Sequence, residues 1–556
     1  MSWPSTPERA PASGRRTLRP SAALPAETVL AQLLPAFDGP RPPGWLLRRI
    51  AAGHAHGVTV FLRANAADGD AVAALTEELH AAAPGHLPLL IGADQEGGQL
   101  VGLGHDTTRF PGAMALGAAD DLSLTEANGR AMGRELRALG ITVDYAPVCD
   151  VAVEPANASL GTRAFGSDPA GVARHAAALV RGLQEGGVVA TPKHFPGFGA
   201  VDTDPHFELG SIDLDLDGLE ARELVPFQAA IEAGAGMVMS GHVALPAVTG
   251  DRALPATVSR LVMHDLLRSR LGFNGVSITD AMDMKAVAQG VGGVIDSIVA
   301  LRAGVDLLLM TPDVAAQRRL AEGLRQAALR GLVPAGRIRA SQRRILRLRR
   351  WLKYFAWPER AYVRSQAHED LALRTARAAI TLVRDEAGLL PLRPTDGEPV
   401  LVITPQPREL TPADSSADEP LALAQVVRRH HRSVVDLRVP AEPTDEDIRA
   451  ARVAASEATC VIVATLATNV QPSQARLVEA VLETGTPSVT VAMRTPYDLA
   501  DYPRAATHLC SYSIVPASVG AVAEAVFGRS PLSGRLPVDI PGLYPRGHGL
   551  EVSQWP

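Results

Sequence analysis

The hexapeptide GVSITD, residues 275–280, is a short apolar run that ends in a carboxylate. Its β-branched residues suit a strand buried on both faces, with Asp280 at the C-terminal end. Six further runs have a similar form: GVTVFL (57–62), LPLLIGAD (87–94), ITVDYAPV (141–148), VVATPKHF (188–195), MVMSGHV (237–243) and VDLLLM (305–310). Alanine-rich stretches of helical pattern, such as DAVAALTEELHAAA and DPAGVARHAAALVRGLQEGG, lie between them. This alternation predicts parallel strands joined by helices, and its extent to about residue 345 matches a (β/α)8 barrel. An open doubly wound sheet is the rival fold for the same rhythm. The run ends favour the barrel. Asp94, Asp150, Lys193, His194, His242 and Asp280 stand at or just past the ends of different runs, so on a barrel they converge on one mouth.

Beyond the barrel, GRIRASQRRILRLRRWLKYFA (336–356) reads as a basic amphipathic helix, expected to be a solvated linker closing the first domain. VLVITP (400–405), ATCVIVATL (458–466), SVTVAM (488–493) and HLCSYSI (508–514) predict a smaller three-layer α/β sandwich. The expected organisation is a flexible tail over 1–25, a barrel over 26–345, a helical linker over 346–390 and the second domain over 391–556. No GxGxxG follows the first strand of that domain, so nothing argues for a dinucleotide.

With 46% hydrophobic and 21% charged residues, the chain of 556 residues has the composition of a globular protein large enough for two domains. A net charge of −6 without a basic, aromatic-rich stripe argues against nucleic acid as a partner. No stretch approaches the ~20 apolar residues of a membrane span, and the N-terminal segment has no secretory apolar core. Cys149, Cys460 and Cys510 are too few and too scattered for a disulfide framework. A cytoplasmic protein, monomeric or dimeric, is expected.

Chemistry concentrates in the segment from Lys193 to His206, KHFPGFGAVDTDPH. The next helical pattern starts only near Leu219, so this connection spans roughly two dozen residues, and βα loops of that length are usually functional or disordered. Asp204 and His206 flank Pro205; a carboxylate on one imidazole nitrogen would orient the ring and leave the other nitrogen to move a proton. A loop histidine capping nearby carbonyls is the ordinary alternative. Asp280 at a barrel mouth suits attack on an anomeric carbon, against the alternative of capping a helix that begins near Met282. Asp94, followed by the glycines of DQEGG, and Lys193 with His194 suit hydrogen bonding to sugar hydroxyls; an internal ion-pair cluster is the alternative. His194, His206 and His242 with nearby aspartates raise a metal site as competing chemistry. The H-x-H at His54–His56, however, precedes its strand and belongs to the opposite rim. No metal and no cofactor is expected.

These residues resemble family 3 glycoside hydrolases, in particular the β-N-acetylglucosaminidases of peptidoglycan recycling. The resemblance spans nearly the whole chain and rests on DQEGG (94–98), FPGAMALGAA (110–119), APVCDV (146–151), Gly161-Thr162-Arg163, the KHFPG-x-G loop with its D-x-H, GFNGVSITDAMDM (272–284) and GRLPVDIPGLYPRGHGL (534–550). It implies a retaining, exo-acting enzyme with Asp280 as nucleophile, His206 as general acid/base and Asp204 as its partner. It further implies that Asp94, Arg163, Lys193 and His194 hold a terminal N-acetylglucosamine of a muropeptide or chito-oligosaccharide. Three positions depart from the family pattern: Gly102 stands where an arginine is usual, Phe198 replaces a histidine, and Pro205 replaces a serine or threonine. A phosphorylase using the same site, or a non-catalytic sugar sensor, is the alternative function.

Overall fold

The computed structural model describes residues 26–65, 68–201, 203–204, 206–287 and 289–555. The expected N-terminal tail, residues 1–25, lies outside them, as does Pro205. Each of the apolar runs contains a strand: Gly57–Thr59, Leu90–Ala93, Val143–Asp144, Val189–Ala190, Met237–Ser240, Val276–Thr279 and Leu308–Leu309. The first four pair in parallel in that order, and Met237–Ser240 pairs in parallel with Val276–Thr279. Parallel bridges from Phe195 to Ser240 and from Ile278 to Leu307 join the remaining neighbours.

Closure needs an eighth strand, and Leu33–Leu34 supplies it. It pairs in parallel with Leu308–Leu309, while Thr59 N–H donates to Pro35 O at 3.0 Å on the other side. Sequence reading misses this strand because two leucines between a 3-10 turn (Ala26–Gln32) and Pro35 display no period. The barrel architecture expected from the alternation is the one observed.

The barrel interior is filled by side chains, among them Leu34, Leu90, Tyr145, Met237, Met239 and Ile278. Ile345, Leu348, Trp351 and Leu352 belong to the same buried cluster. They come from the basic helix, Ala335–Leu352, which is therefore a plug for the barrel floor and not a solvated linker. Its arginines complete that seal. Arg349 donates to Pro88 O at 2.8 Å and Leu87 O at 2.9 Å, just ahead of the strand Leu90–Ala93, and Arg337 and Arg344 reach the buried Asp306 at 2.8 and 3.2 Å. The expected boundary at residue 345 falls inside this continuous helix.

The second domain is a six-stranded sheet in the order Thr381–Asp385, Thr507–Cys510, Ser488–Ala492, Cys460–Thr465, Val400–Pro405, Val434–Val439. All pairs are parallel except the first, which is antiparallel. Alternate residues face two helical layers. Val400, Val402 and Ile462 pack with Val519 and Val522 of the helix Pro516–Val526; Leu401, Ile403 and Val461 share a cluster with Ala451, Ala455 and Val478 of the helices Asp445–Glu457 and Ser473–Leu482. Two edge strands escape sequence reading: Val434–Val439, half exposed with Asp436 and Arg438 in it, and Thr381–Asp385, which lies within the expected linker 346–390. Ser167 N–H to Pro537 O (3.0 Å) and Arg535 N–H to Ala118 O (2.9 Å) tie the two domains by main chain. Among the described residues, no helix is long and apolar enough to cross a membrane.

Candidate active site

Parallel strands ending on one rim deliver their following residues to one place. Asp94, Arg163, Lys193, His194, His206, His242 and Asp280 all line a single cavity of about 560 Å³ at the C-terminal mouth of the barrel. Asp204 does not line it but is bonded to His206, which does.

The floor is an ion-pair network. Lys193 Nζ donates at 2.6 Å to Asp94 Oδ1 and lies 2.6 Å from Glu96 Oε1. Glu96 in turn accepts from Arg163 Nε and Nη2, each at 2.8 Å, in the bidentate geometry that suits guanidinium and carboxylate. Burial pushes the Glu96 carboxyl up, but Arg163 and Lys193 outweigh it and hold it at about 2. Burial disfavours the Lys193 ammonium, yet Asp94 and Glu96 prevail and raise its pKa. The ion-pair reading and the ligand reading of these residues are thus joined: the network fixes side chains that still face the cavity.

His194 is held differently. Its Nδ1 lies 2.7 Å from Asp150 Oδ2, and Asp150 Oδ1 accepts from Phe198 N–H at 2.9 Å. The ring of Phe198 meets the imidazole edge-on at 4.8 Å. Burial, with Arg163 and Lys193 nearby, pushes the His194 pKa well down and so favours its neutral imidazole. Phe198, one of the departures, is therefore a packing wall for His194.

His206 Nδ1 lies 2.6 Å from Asp204 Oδ1, the same oxygen that accepts from His206 N–H at 2.9 Å. Burial raises the Asp204 carboxyl, but the hydrogen bonds from His206 outweigh it and lower its pKa. With Nδ1 engaged, Nε2 is the nitrogen left for a ligand. Asp280 is anchored by its own N–H to Ser240 O at 2.9 Å, and its Oδ1 accepts from Ala281 N–H at 2.7 Å. The helix expected near Met282 does not form there: residues 281–287 make turns, and the next helix is Val291–Ala303. Asp280 consequently caps no helix. His242 steadies this turn, with Nδ1 2.9 Å from Thr257 Oγ1 and Nε2 3.1 Å from Ala281 O.

Gly102 lines the cavity, and its N–H donates to Asp94 O at 2.7 Å. A Cβ built there would stand 2.3 Å from that same oxygen, so the backbone lies too close to Asp94 for any side chain. His56, at the start of its strand, is buried against Arg349 (3.1 Å) at the barrel floor, opposite the cavity.

Sequence reading missed two contributors. Glu96 stands inside DQEGG without being singled out; an acidic residue two places after a strand-end aspartate, near strands that end in cations, was the available signal. The second domain also builds part of the cavity wall, through Pro412, Ala413 and Ser415. Ser415 N–H donates to Gln99 O at 2.9 Å and its Oγ accepts from Val101 N–H at 3.0 Å. Nothing local in the sequence signals that contact.

The fold and the residues at its mouth define a glycoside hydrolase. Residues 48–348 match the glycosyl hydrolase family 3 N-terminal domain and residues 380–547 its C-terminal domain, and the chain belongs to that family. It is 28% identical to beta-hexosaminidase A of Pseudoalteromonas piscicida over 547 residues, covering 87% of this chain and 89% of that one. A beta-hexosaminidase of Stenotrophomonas maltophilia is 38% identical over 303 residues, 52% of this chain and 87% of that one. The solved family 3 beta-N-acetylglucosaminidase of Paenibacillus sp. str. FPU-7 superposes with a TM-score of 0.86 at 31% identity, covering 93% of this chain and 99% of that chain.

Proposed function

We propose that this protein is a retaining, exo-acting β-N-acetylglucosaminidase that works by double displacement. The observation that carries the reading is that Asp280 and the Asp204-bonded His206 line one cavity with Asp94, Lys193 and Arg163, the two cations being held by Glu96 behind them. Asp280 attacks the anomeric carbon while protonated His206 gives its proton to the leaving oxygen; neutral His206 then takes a proton from the water that releases the sugar from Asp280. Asp204 keeps the imidazole oriented through its contact with Nδ1. Asp94, Arg163, Lys193 and His194 hold the terminal sugar. Activity on N-acetylhexosamine is supported by the names of the relatives. A cytoplasmic location is supported by three free, buried cysteines, Cys149, Cys460 and Cys510.

The test is turnover of 4-nitrophenyl β-N-acetylglucosaminide with and without phosphate, followed by trapping with a fluorinated glycosyl fluoride and peptide mapping. Phenol release independent of phosphate and label on Asp280 are expected. Label elsewhere refutes the nucleophile, faster release with phosphate makes it a phosphorylase, and no release by folded protein leaves only a sugar-binding role.

A further inference from the structure

The residues proposed to hold the terminal sugar lie deep: Arg163, Lys193 and His194 are buried at the floor of the cavity. An exo-acting enzyme places the terminal sugar innermost, so the leaving part of the substrate meets what stands further out. Part of that outer lining comes from the second domain. Pro412 is exposed and Ala413 half-buried, and both line the cavity together with Leu100 of the first domain. Their side chains offer apolar surface of the kind that packs against the C–H face of a sugar ring.

The segment that carries Pro412 is held from behind. Asp414 is buried, and its two oxygens gather the turn: Oδ2 accepts from Leu410 N–H at 3.0 Å and Oδ1 from Ser416 N–H at 2.8 Å. Oδ2 also accepts from Arg494 Nη2 at 2.8 Å, an ion pair whose side chains are both buried. Arg494 stands two residues past the strand Ser488–Ala492, so this pair ties the turn to the sheet of the second domain. On the other side, Ser415 is bonded to Gln99 and Val101 in the hairpin that follows Asp94. Anchored at both ends, the turn is a fixed wall and not a loose loop.

Resting on the proposed activity, we infer that residues 410–416 of the second domain form the aglycone side of the cavity. Pro412 and Ala413 meet the leaving sugar, and Asp414 with Arg494 are the positioning residues that hold them at the mouth. The second domain then sets how well an oligosaccharide is bound beyond its terminal unit, and the barrel alone holds that unit.

Two ligands separate the inner from the outer part of the cavity: chitotriose, whose hydrolysis engages both, and N-acetylglucosamine, which as a competitive inhibitor fills only the inner one. Pro412→Ala and Arg494→Met should each raise the KM for chitotriose by about three- to ten-fold, the worth of one or two buried CH2 groups, with kcat changed far less. The inhibition constant of N-acetylglucosamine should stay at the parent value in both. Arg494→Lys, which keeps the charge beside Asp414, should recover most of the loss. Thermal unfolding reports whether the Arg494 variants are folded; Pro412 is exposed, so its variant carries the test if they are not. An unchanged KM for chitotriose in the folded variants, or a KM and an inhibition constant that rise in parallel, overturns this inference while leaving the glycosidase reading intact. No turnover of chitotriose by the folded parent overturns the activity and this inference with it.

Discussion

Two histidine–carboxylate pairs flank one cavity, Asp150–His194 and Asp204–His206, and they share nearly the same bond, 2.7 and 2.6 Å from Nδ1 to carboxylate oxygen. Their surroundings differ. The His194 and Asp150 side chains are 8% and 0% exposed, those of His206 and Asp204 27% and 14%. His194 follows directly from a strand end and is boxed in by Phe198 and Arg163; His206 sits in a loop at the cavity edge. Burial beside two cations disfavours the protonated imidazole of His194, whereas the ring of His206 keeps partial contact with solvent. One motif thus yields a rigid hydrogen-bonding group and a candidate proton carrier, with burial as the difference.

That contrast can be broken in order of expected effect. Replacing His206 by Gln should lower kcat on chitobiose by about 10²–10⁴-fold, and by less on a nitrophenyl glycoside, whose leaving group needs little protonation. Equal losses on both would show that His206 is not the acid. Replacing Glu96 by Gln should cost on the order of 3 kcal/mol of stability, from the difference between its ordinary value of 4.5 and about 2 in the folded protein. Because the folded value is depressed, that advantage of the parent is fully present above pH 4.5 and fades as pH falls toward 2. Denaturant unfolding of parent and variant across this range reads it out, and a gap constant with pH would sink the assignment.

Replacing His194 by Gln should raise KM by about ten-fold, the worth of one neutral hydrogen bond, with kcat changed far less. A collapse of kcat comparable to that of the His206 variant would erase the distinction between the pairs. The smallest effect is expected for Phe198→Leu, which loses an edge-on ring contact worth about 1 kcal/mol. Its KM should rise a few-fold as His194 loosens; a loss of kcat alone would point instead to direct contact with the reacting atoms.

Much of the cavity was legible in the sequence because a strand end is a local feature. An apolar run followed by Asp94, by Lys193 and His194, or by Asp280 states both the strand and the side chain it presents, and seven barrel strands were found that way. The strand Leu33–Leu34 was not, since two residues carry no periodicity and only pairing with Leu308 and Leu309 makes them a strand. The helix Ala335–Leu352 was recognised as amphipathic, yet its many arginines suggested solvent; their partners are main-chain carbonyls and Asp306 at the barrel floor, brought together only by closure. Thr381–Asp385 and Val434–Val439 were missed because edge strands admit charges that interior strands exclude.

By itself the sequence determined the alternation of strand and helix, the residues at the strand ends and the proximity of Asp204 to His206, all properties of neighbouring residues. Tertiary structure decided the rest. It brought Glu96 between Arg163 and Lys193, set Gly102 against Asp94, carried Ser415 and Asp418 of the second domain to the mouth of the first, and buried one histidine while leaving its counterpart at the edge. Burial and charge pairing are sums over groups distant in the chain, and two imidazoles identical in the sequence acquire different chemistry only when those sums are made.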